Sequence, residues 1–445
     1  MTIKRAAIIG AGPSGFYAAD QLLKVGFEVD LYDALPTPFG LVRAGVAPDH
    51  PKIKSVTRVY AKTATHEAFR FFGAVTLGAE VSREDLLARY HAVVYAIGTS
   101  TDNRLGIPGE DRPGSHPATA FVAWYNGHPY FADEMFDLNG GRAVVVGNGN
   151  VAIDVARMLV LDPGELAPTD TADHAIDAFE MAGVTEVVLL GRRGPAEAAF
   201  TNPELRELGE LVDADVIVDE AQMGSGAALD DPSADPTARR NVEILREYST
   251  RKPSGRRKRV ELRFLLSPLE LRGEGRVESV LLARNVLEAD PGGALRARAS
   301  DQLVELPATT VFRAIGYRGT PLSDVPFDSE RGLIANEGGR VRHGEYVVGW
   351  AKRGPSGVIG TNKKDANDTV NALLEDLVAG RVLDPAPITD AALEDWVRER
   401  QPELVDYRRW AAIDRHERDR GEPHGRPRVK LARLEELLGI RHGDG

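Results

Sequence analysis

Ala6-Ala7-Ile8-Ile9-Gly10-Ala11-Gly12-Pro13-Ser14-Gly15 decides the fold of this chain. The unbroken apolar run Ala6–Ile9 suits a strand buried on both faces of a parallel sheet. Gly10, Gly12 and Gly15 then have the spacing of a strand-to-helix turn that binds a dinucleotide. The first glycine permits the tight turn, the second lets a pyrophosphate approach the backbone, and the third lets helix and strand pack closely. The helix that follows carries Phe16, Ala19, Leu22 and Leu23 on one face and ends at Gly26. Its unpaired N–H groups and positive dipole end favour phosphate. Val29–Tyr32 reads as the next strand and closes on Asp33, near the position about 20 residues along where an acid meets a ribose.

The same pattern returns. Ala143–Val146 is apolar, the turn is Gly147-Asn148-Gly149-Asn150-Val151-Ala152, and the helix carries Val155, Met158 and Leu159. Alanine is an accepted third residue of the motif. Glu186–Leu190 reads as the following strand and ends in Gly191-Arg192-Arg193. Two guanidiniums where an acid would otherwise stand can clamp a 2′-phosphate, which favours NADP over NAD. The interval between glycines and arginines is long, so residues 161–183 are read as an insertion of loop and short helix. Two strand–turn–helix units predict an α/β protein with two Rossmann-like dinucleotide-binding domains.

The remaining segments fill in around these units. Val93–Ile97, Val311–Ile315 and Tyr346–Gly349 read as buried strands, and Leu105-Gly106-Ile107-Pro108-Gly109 as an interdomain linker. Val260–Leu265 and Val277–Leu282 alternate as antiparallel strands do. Gly354–Gly360 precedes a long helix with Val370, Leu373, Leu374 and Leu377 on one face and Gly380 after its end. Thr389–Gly445 reads as amphipathic helices.

Composition narrows the function. The chain of 445 residues holds no cysteine, which excludes disulfides, Cys-ligated iron–sulfur clusters and a redox CxxC pair. Electrons, if carried, travel through bound cofactors, and no metal site is expected. A net charge of −12 argues against a nucleic-acid binder. No apolar run approaches the roughly 20 residues of a membrane span. The first strand starts almost at Met1 without a leader, so a cytoplasmic location is expected. Residues 239–259 carry nine cations (Arg239, Arg240, Arg246, Arg251, Lys252, Arg256, Arg257, Lys258, Arg259) against Glu243 and Glu247. Two readings stay open there: a solvated loop, or a docking patch for an acidic partner.

Leu35-Pro36-Thr37-Pro38-Phe39-Gly40-Leu41-Val42-Arg43-Ala44-Gly45-Val46-Ala47-Pro48-Asp49-His50-Pro51 closely resembles the signature loop of adrenodoxin-reductase-type ferredoxin–NADP reductases. Gly147–Ala152, Gly191–Pro195, Glu204–Glu207, Gly349–Lys363 and Gly425–Lys430 resemble the same family, in family order, from residue 6 to residue 440. The resemblance implies a glutathione-reductase-like architecture with the NADP domain, residues 106–319, inserted into an FAD domain of residues 1–105 and 320–445. It implies that Gly10, Gly12, Ser14, Gly15, Asp33, Leu41, Val81, Trp350, Gly357, Val358 and Ile359 hold FAD. Asn148, Gly149, Asn150, Val151, Arg192, Arg193 and Glu204 would hold NADPH. His50 and Glu207 would be the catalytic polar residues, orienting the nicotinamide or managing the proton that accompanies flavin reduction. A helix N-terminus after Gly357 would stabilise negative charge on the reduced flavin.

The implied activity is transfer of hydride from NADPH to FAD, then of single electrons to an acidic ferredoxin-type iron–sulfur protein. Two departures stand out: Asp33 replaces the usual Glu, and Asn103-Arg104 replaces an Arg at the first of these positions. Two alternatives remain, a flavin-dependent monooxygenase, for which no FxGxxxHxxxW segment occurs, and a non-catalytic NADPH-sensing module.

Overall fold

The computed structural model describes residues 4–223, 235–357 and 359–441. The chain divides into two compact units, the first of Met1–Thr101, Asn126–Ala132 and Tyr317–Gly445, the second of Asp102–Tyr125 and Asp133–Gly316. In sequence, the second is inserted into the first.

The first unit is built on a six-stranded sheet in the order Arg340–Arg342, Glu345–Val347, Ala92–Tyr95, Lys4–Ile9, Phe27–Asp33, Phe69–Gly73. All neighbours are parallel except the edge strand Arg340–Arg342. Side chains alternate between the faces of a strand, so a central strand covered on both sides must be apolar throughout. Ala6 and Ile8 pack with Phe16, Leu22, Val370 and Leu373 of the helices Pro13–Lys24 and Ile359–Val378. Ala7 and Ile9 face the other cluster, with Tyr32, Val81 and Trp396.

The second unit holds a parallel sheet in the order Ser115–Pro117, Thr310–Arg313, Arg142–Val146, Glu186–Leu190, Lys258–Arg263, Ala214–Val218. This corrects the antiparallel reading of Val260–Leu265. Val260 and Leu262 are buried while Arg259 is exposed, and a parallel strand with one partly open face shows the alternation of an antiparallel one. Of the segment 277–282, Ser279–Leu282 does lie in an antiparallel sheet, formed by Leu266–Arg272, Ser279–Ala289 and Leu295–Pro307. Val280, Leu282 and Leu306 of that sheet pack against Val144, Val188 and Val311.

Leu105–Gly109 is not a free linker but folds into the second unit. The Glu110 carboxylate accepts the N–H groups of Leu105 and Gly106 at 2.6 and 2.9 Å. Leu105 and Ile107 pack against the apolar cluster of that unit. Among the described residues, no helix is long and apolar enough to cross a membrane.

A buried ionic network ties the first sheet to a C-terminal helix. Asp30, 1% exposed, accepts bonds from Arg70 Nε and Nη2 at 2.6 and 2.7 Å and from Tyr90 at 2.8 Å. Arg70 Nη1 in turn lies 3.1 Å from Asp390, which opens the helix Asp390–Arg400 and also pairs with Arg5. Breaking one side of a buried pair leaves the other charge uncompensated. Asp30→Asn is expected to destabilise the first unit by about 3 kcal/mol, read as a lower denaturation midpoint in urea.

Candidate functional site

Both glycine turns take the same backbone path. Gly10 and Gly147 have φ of 111° and 134°, a region open to glycine and strained for other residues. A Cβ on Gly10 would lie 2.5 Å from the Ala96 carbonyl oxygen, and one on Gly147 would lie 2.1 Å from that of Ala314. In each case the neighbouring parallel strand has arrived where a side chain would stand. A Cβ on Gly15 would lie 2.1 Å from the Gly10 carbonyl oxygen, so turn and helix meet backbone to backbone. At Gly12 and Gly149, by contrast, a Cβ would meet nothing within 4 Å. Each of these two glycines caps a helix, Pro13–Lys24 or Asn150–Val160, and neither helix start has a side-chain cap.

In the first unit the candidate residues converge on this turn. Asp33 accepts the N–H of Ala11 at 2.6 Å through one oxygen and that of Leu35 at 2.8 Å through the other. Its carboxylate thus fixes the turn itself. Gly40 lies against the same turn, since a Cβ there would meet Gly12 Cα at 2.9 Å. Leu41, next to it, is left 48% exposed. From the C-terminal portion, Gly349 approaches so closely that a Cβ would meet Ser14 Oγ at 2.1 Å. Trp350 follows, and among the described residues its buried Nε1 has no hydrogen-bond partner.

Gly357 precedes the helix that begins at Ile359; Val358 lies outside the described residues. Val81 sits in the opposite apolar cluster, with its N–H and C=O bonded to Thr76 and Gly78. His50, also in this unit, is buried and caps the short helix Pro51–Lys54, with Nε2 3.9 Å from Asp49.

In the second unit the turn is braced by polar side chains. Asn150 accepts the Thr201 N–H at 2.8 Å, and the Asn148 carbonyl accepts the Ala199 N–H at 3.0 Å. Val151 lies in the first turn of the helix. The arginine turn is pinned through its backbone, with Asn285 donating to the Arg192 carbonyl at 2.7 Å and Leu265 to that of Arg193 at 3.1 Å. Among the described residues no carboxylate pairs with either guanidinium. Glu204 and Glu207 lie on the helix Asn202–Leu208, and Glu207 stands 3.7 Å from Arg157. Arg104 is committed to Asp111 at 2.5 Å and Glu110 at 3.4 Å.

Over 451 aligned residues the chain is 50% identical to the NADPH-ferredoxin reductase FprA of Mycobacterium leprae, covering 99% of each. The chain belongs to the NADPH-ferredoxin reductase family. It is 37% identical to the mitochondrial NADPH:adrenodoxin oxidoreductase of Arabidopsis thaliana, covering 97% of this chain and 94% of that one. The structure of Mycobacterium tuberculosis FprA in complex with NADPH superposes with a TM-score of 0.96 at 49% identity, covering 98% and 99%. A model of the pyridine nucleotide-disulphide oxidoreductase family matches residues 4–162.

The donor sets of this NADPH-ferredoxin reductase suit two adenine dinucleotides. Open space over Gly12 and Gly149, two helix starts without a side-chain cap, and, among the described residues, a Trp350 Nε1 without a hydrogen-bond partner and Arg192 and Arg193 without a carboxylate are the features a bound dinucleotide would complete. Three contributors escaped the sequence reading. Asp365 accepts the Gly349 N–H at 2.5 Å and pairs with Lys352 at 3.0 Å, which holds the Gly349–Trp350 segment. Arg157 is buried between Asp154 and Glu207. Glu110 organises the loop before it. A lone charged residue within a helix or after a turn carries no pattern that marks it for such work.

Burial raises the Asp33 carboxyl from 3.8 to about 6, against the two N–H bonds that lower it. A raised carboxyl pKa means that the folded protein holds a proton the unfolded chain has released, so this stability is full below pH 3.8 and is lost as pH rises through about 6. For the cofactor-free protein, the unfolding free energy relative to Asp33→Asn is expected to fall by roughly 3 kcal/mol across that window. Urea denaturation at a series of pH values measures it; a level difference would contradict the assignment.

Proposed function

We propose that this protein is an NADPH-dependent reductase of an acidic, ferredoxin-type iron–sulfur protein, with FAD at the first glycine turn and NADPH at the second. The observation that carries the proposal is the contrast between the two turns. One ends its second strand in an acid that faces the turn, the other in two arginines that, among the described residues, have no carboxylate partner. When bound, FAD accepts a two-electron hydride and releases electrons singly, which links a nicotinamide to a one-electron acceptor. Gly12, Ser14 and Gly15 would present backbone N–H groups to the FAD pyrophosphate; Gly10, whose own N–H is donated to the Tyr32 carbonyl at 2.7 Å, makes the turn, and Asp33 sets it. Leu41 and Trp350 supply apolar cover and an indole N–H, and Gly357 and Ile359 the approach to a helix start; Val358, assigned to FAD with them, lies outside the described residues. Val81 would meet the adenine through its backbone.

Asn148, Gly149, Asn150 and Val151 form the corresponding cradle for NADPH, with Glu204 beside it. Arg192 and Arg193 grip the 2′-phosphate. His50 and Glu207 are assigned to orienting the nicotinamide and holding the accompanying proton. The same reading places the protein in the cytoplasm.

Within residues 239–259 most cations are committed internally. Arg240 and Arg251 pair with Glu243 and Glu247, Arg256 with Asp215, Arg257 with Asp213 and Arg259 with Glu186, while Lys258 is buried. Arg246 and Lys252 are exposed and, among the described residues, have no carboxylate partner. We assign the steering of the acidic partner to these two.

Anaerobic titration with NADPH should bleach the bound flavin, and NADH at the same concentration should not. Arg192→Ala with Arg193→Ala should raise the KM for NADPH by roughly 100-fold, as expected for the loss of charge-assisted bonds, with little change for NADH. Equal loss for both nucleotides would reject the 2′-phosphate role. Arg246→Glu with Lys252→Glu should lower the rate of ferredoxin reduction about tenfold at low salt, and less as salt rises. Unchanged stopped-flow kinetics would reject the docking assignment.

A further inference from the structure

A second cluster of buried charges in the first unit closes on one loop. Glu417, with no exposed surface, lies on the helix Tyr407–Gly421. It accepts two bonds from Arg43, at 2.8 and 2.5 Å, one from Arg428 at 3.0 Å and one from the Leu431 N–H at 2.9 Å. Arg43 lies in the short helix Leu41–Ala44, within the loop that passes through Gly40, and its guanidinium lies 5.2 Å from the Trp410 ring centre. Lys430 donates to the Arg43 carbonyl at 3.2 Å. The C-terminal segment therefore grips this loop at both its side chain and its backbone.

What is gripped is a strained piece of chain. Phe39 has φ of 84°, a conformation strained for a residue with a Cβ, which persists only where the surroundings enforce it. Its ring is caged by Phe16, Tyr60 and Trp410 at centroid distances of 5.4, 6.0 and 5.9 Å. Its N–H donates to the Ala11 carbonyl at 2.8 Å, inside the first glycine turn. Burial alone would raise the Glu417 carboxyl, yet Arg43 and Arg428 together hold it below the ordinary range, so the clamp stays ionised at neutral pH.

We propose that Glu417 is a positioning residue for FAD, clamping Arg43 so that the strained Phe39–Gly40 step is pressed onto the first glycine turn. The inference rests on FAD occupying that turn. A buried carboxylate answering two guanidiniums is costly to place, and here it secures a conformation that the loop would not keep alone. Asp414, 2.6 Å from Arg428, lets that arginine keep a partner when Glu417 is altered. Arg43, among the described residues, has no second carboxylate.

The test is the affinity of deflavinated protein for FAD, read by flavin fluorescence, beside the melting temperature of the flavin-free form. Glu417→Gln should weaken FAD binding at least tenfold and leave NADP binding unchanged. Arg43→Met should reproduce that loss, whereas Arg428→Met, which spares the Arg43 contact, should cost less than threefold. This pair decides the matter if the Glu417 variant does not fold. FAD affinities matching the unaltered protein, or equal losses in the two arginine variants, would overturn the proposal and leave Glu417 a purely structural acid. Failure of the unaltered protein to bind FAD would instead reject the site reading on which the inference stands.

Discussion

A strand carbonyl occupying the place of a missing side chain is the constraint from which the structure follows. At Gly10 it is the carbonyl of Ala96, and at Gly147 that of Ala314. The parallel strands on either side can be neighbours only because the turn between strand and helix presents no Cβ to them. Once the chain turns there, the next helix starts with free N–H groups aimed beyond the sheet edge. Gly12 and Gly149 keep the space over them open. The ligand-binding property and the sheet topology have one cause.

Around these two similar turns the surroundings differ in charge. Asp33 spends both oxygens on the backbone of its own turn. Asn285 and Leu265 take only the carbonyls of Arg192 and Arg193, and among the described residues no carboxylate pairs with either guanidinium. One pocket is thereby finished from within, and the other is completed by whatever anion it receives. A substrate that arrives and departs suits the second kind of pocket, and a resident group the first.

The glycine turns were legible because each glycine answers a steric demand that no other residue meets, and the apolar strands because a strand covered on both faces admits no polar position. The strand Lys258–Arg263 misled because partial exposure of one face imitates a different sheet type. Leu105–Gly109 looked like a connector since glycine and proline mark turns equally well inside a domain, and only Glu110, folding back onto two N–H groups, shows which case holds. Glu417 was illegible. It stands in a helix crowded with acids and arginines, and nothing local separates the one that faces inward from those in water.

The arrangement of the sheets in the chain has a consequence for biosynthesis. The strand Glu345–Val347 pairs beside Ala92–Tyr95, so the first sheet waits for residues made far later, while the second unit lies almost wholly between Asp102 and Gly316. At about 5–20 residues per second, translation of the intervening stretch takes tens of seconds at the slower end. Through that interval the nascent chain carries one unit able to close and another with an apolar sheet edge still open. Emergence of the last third of the protein ends that exposure.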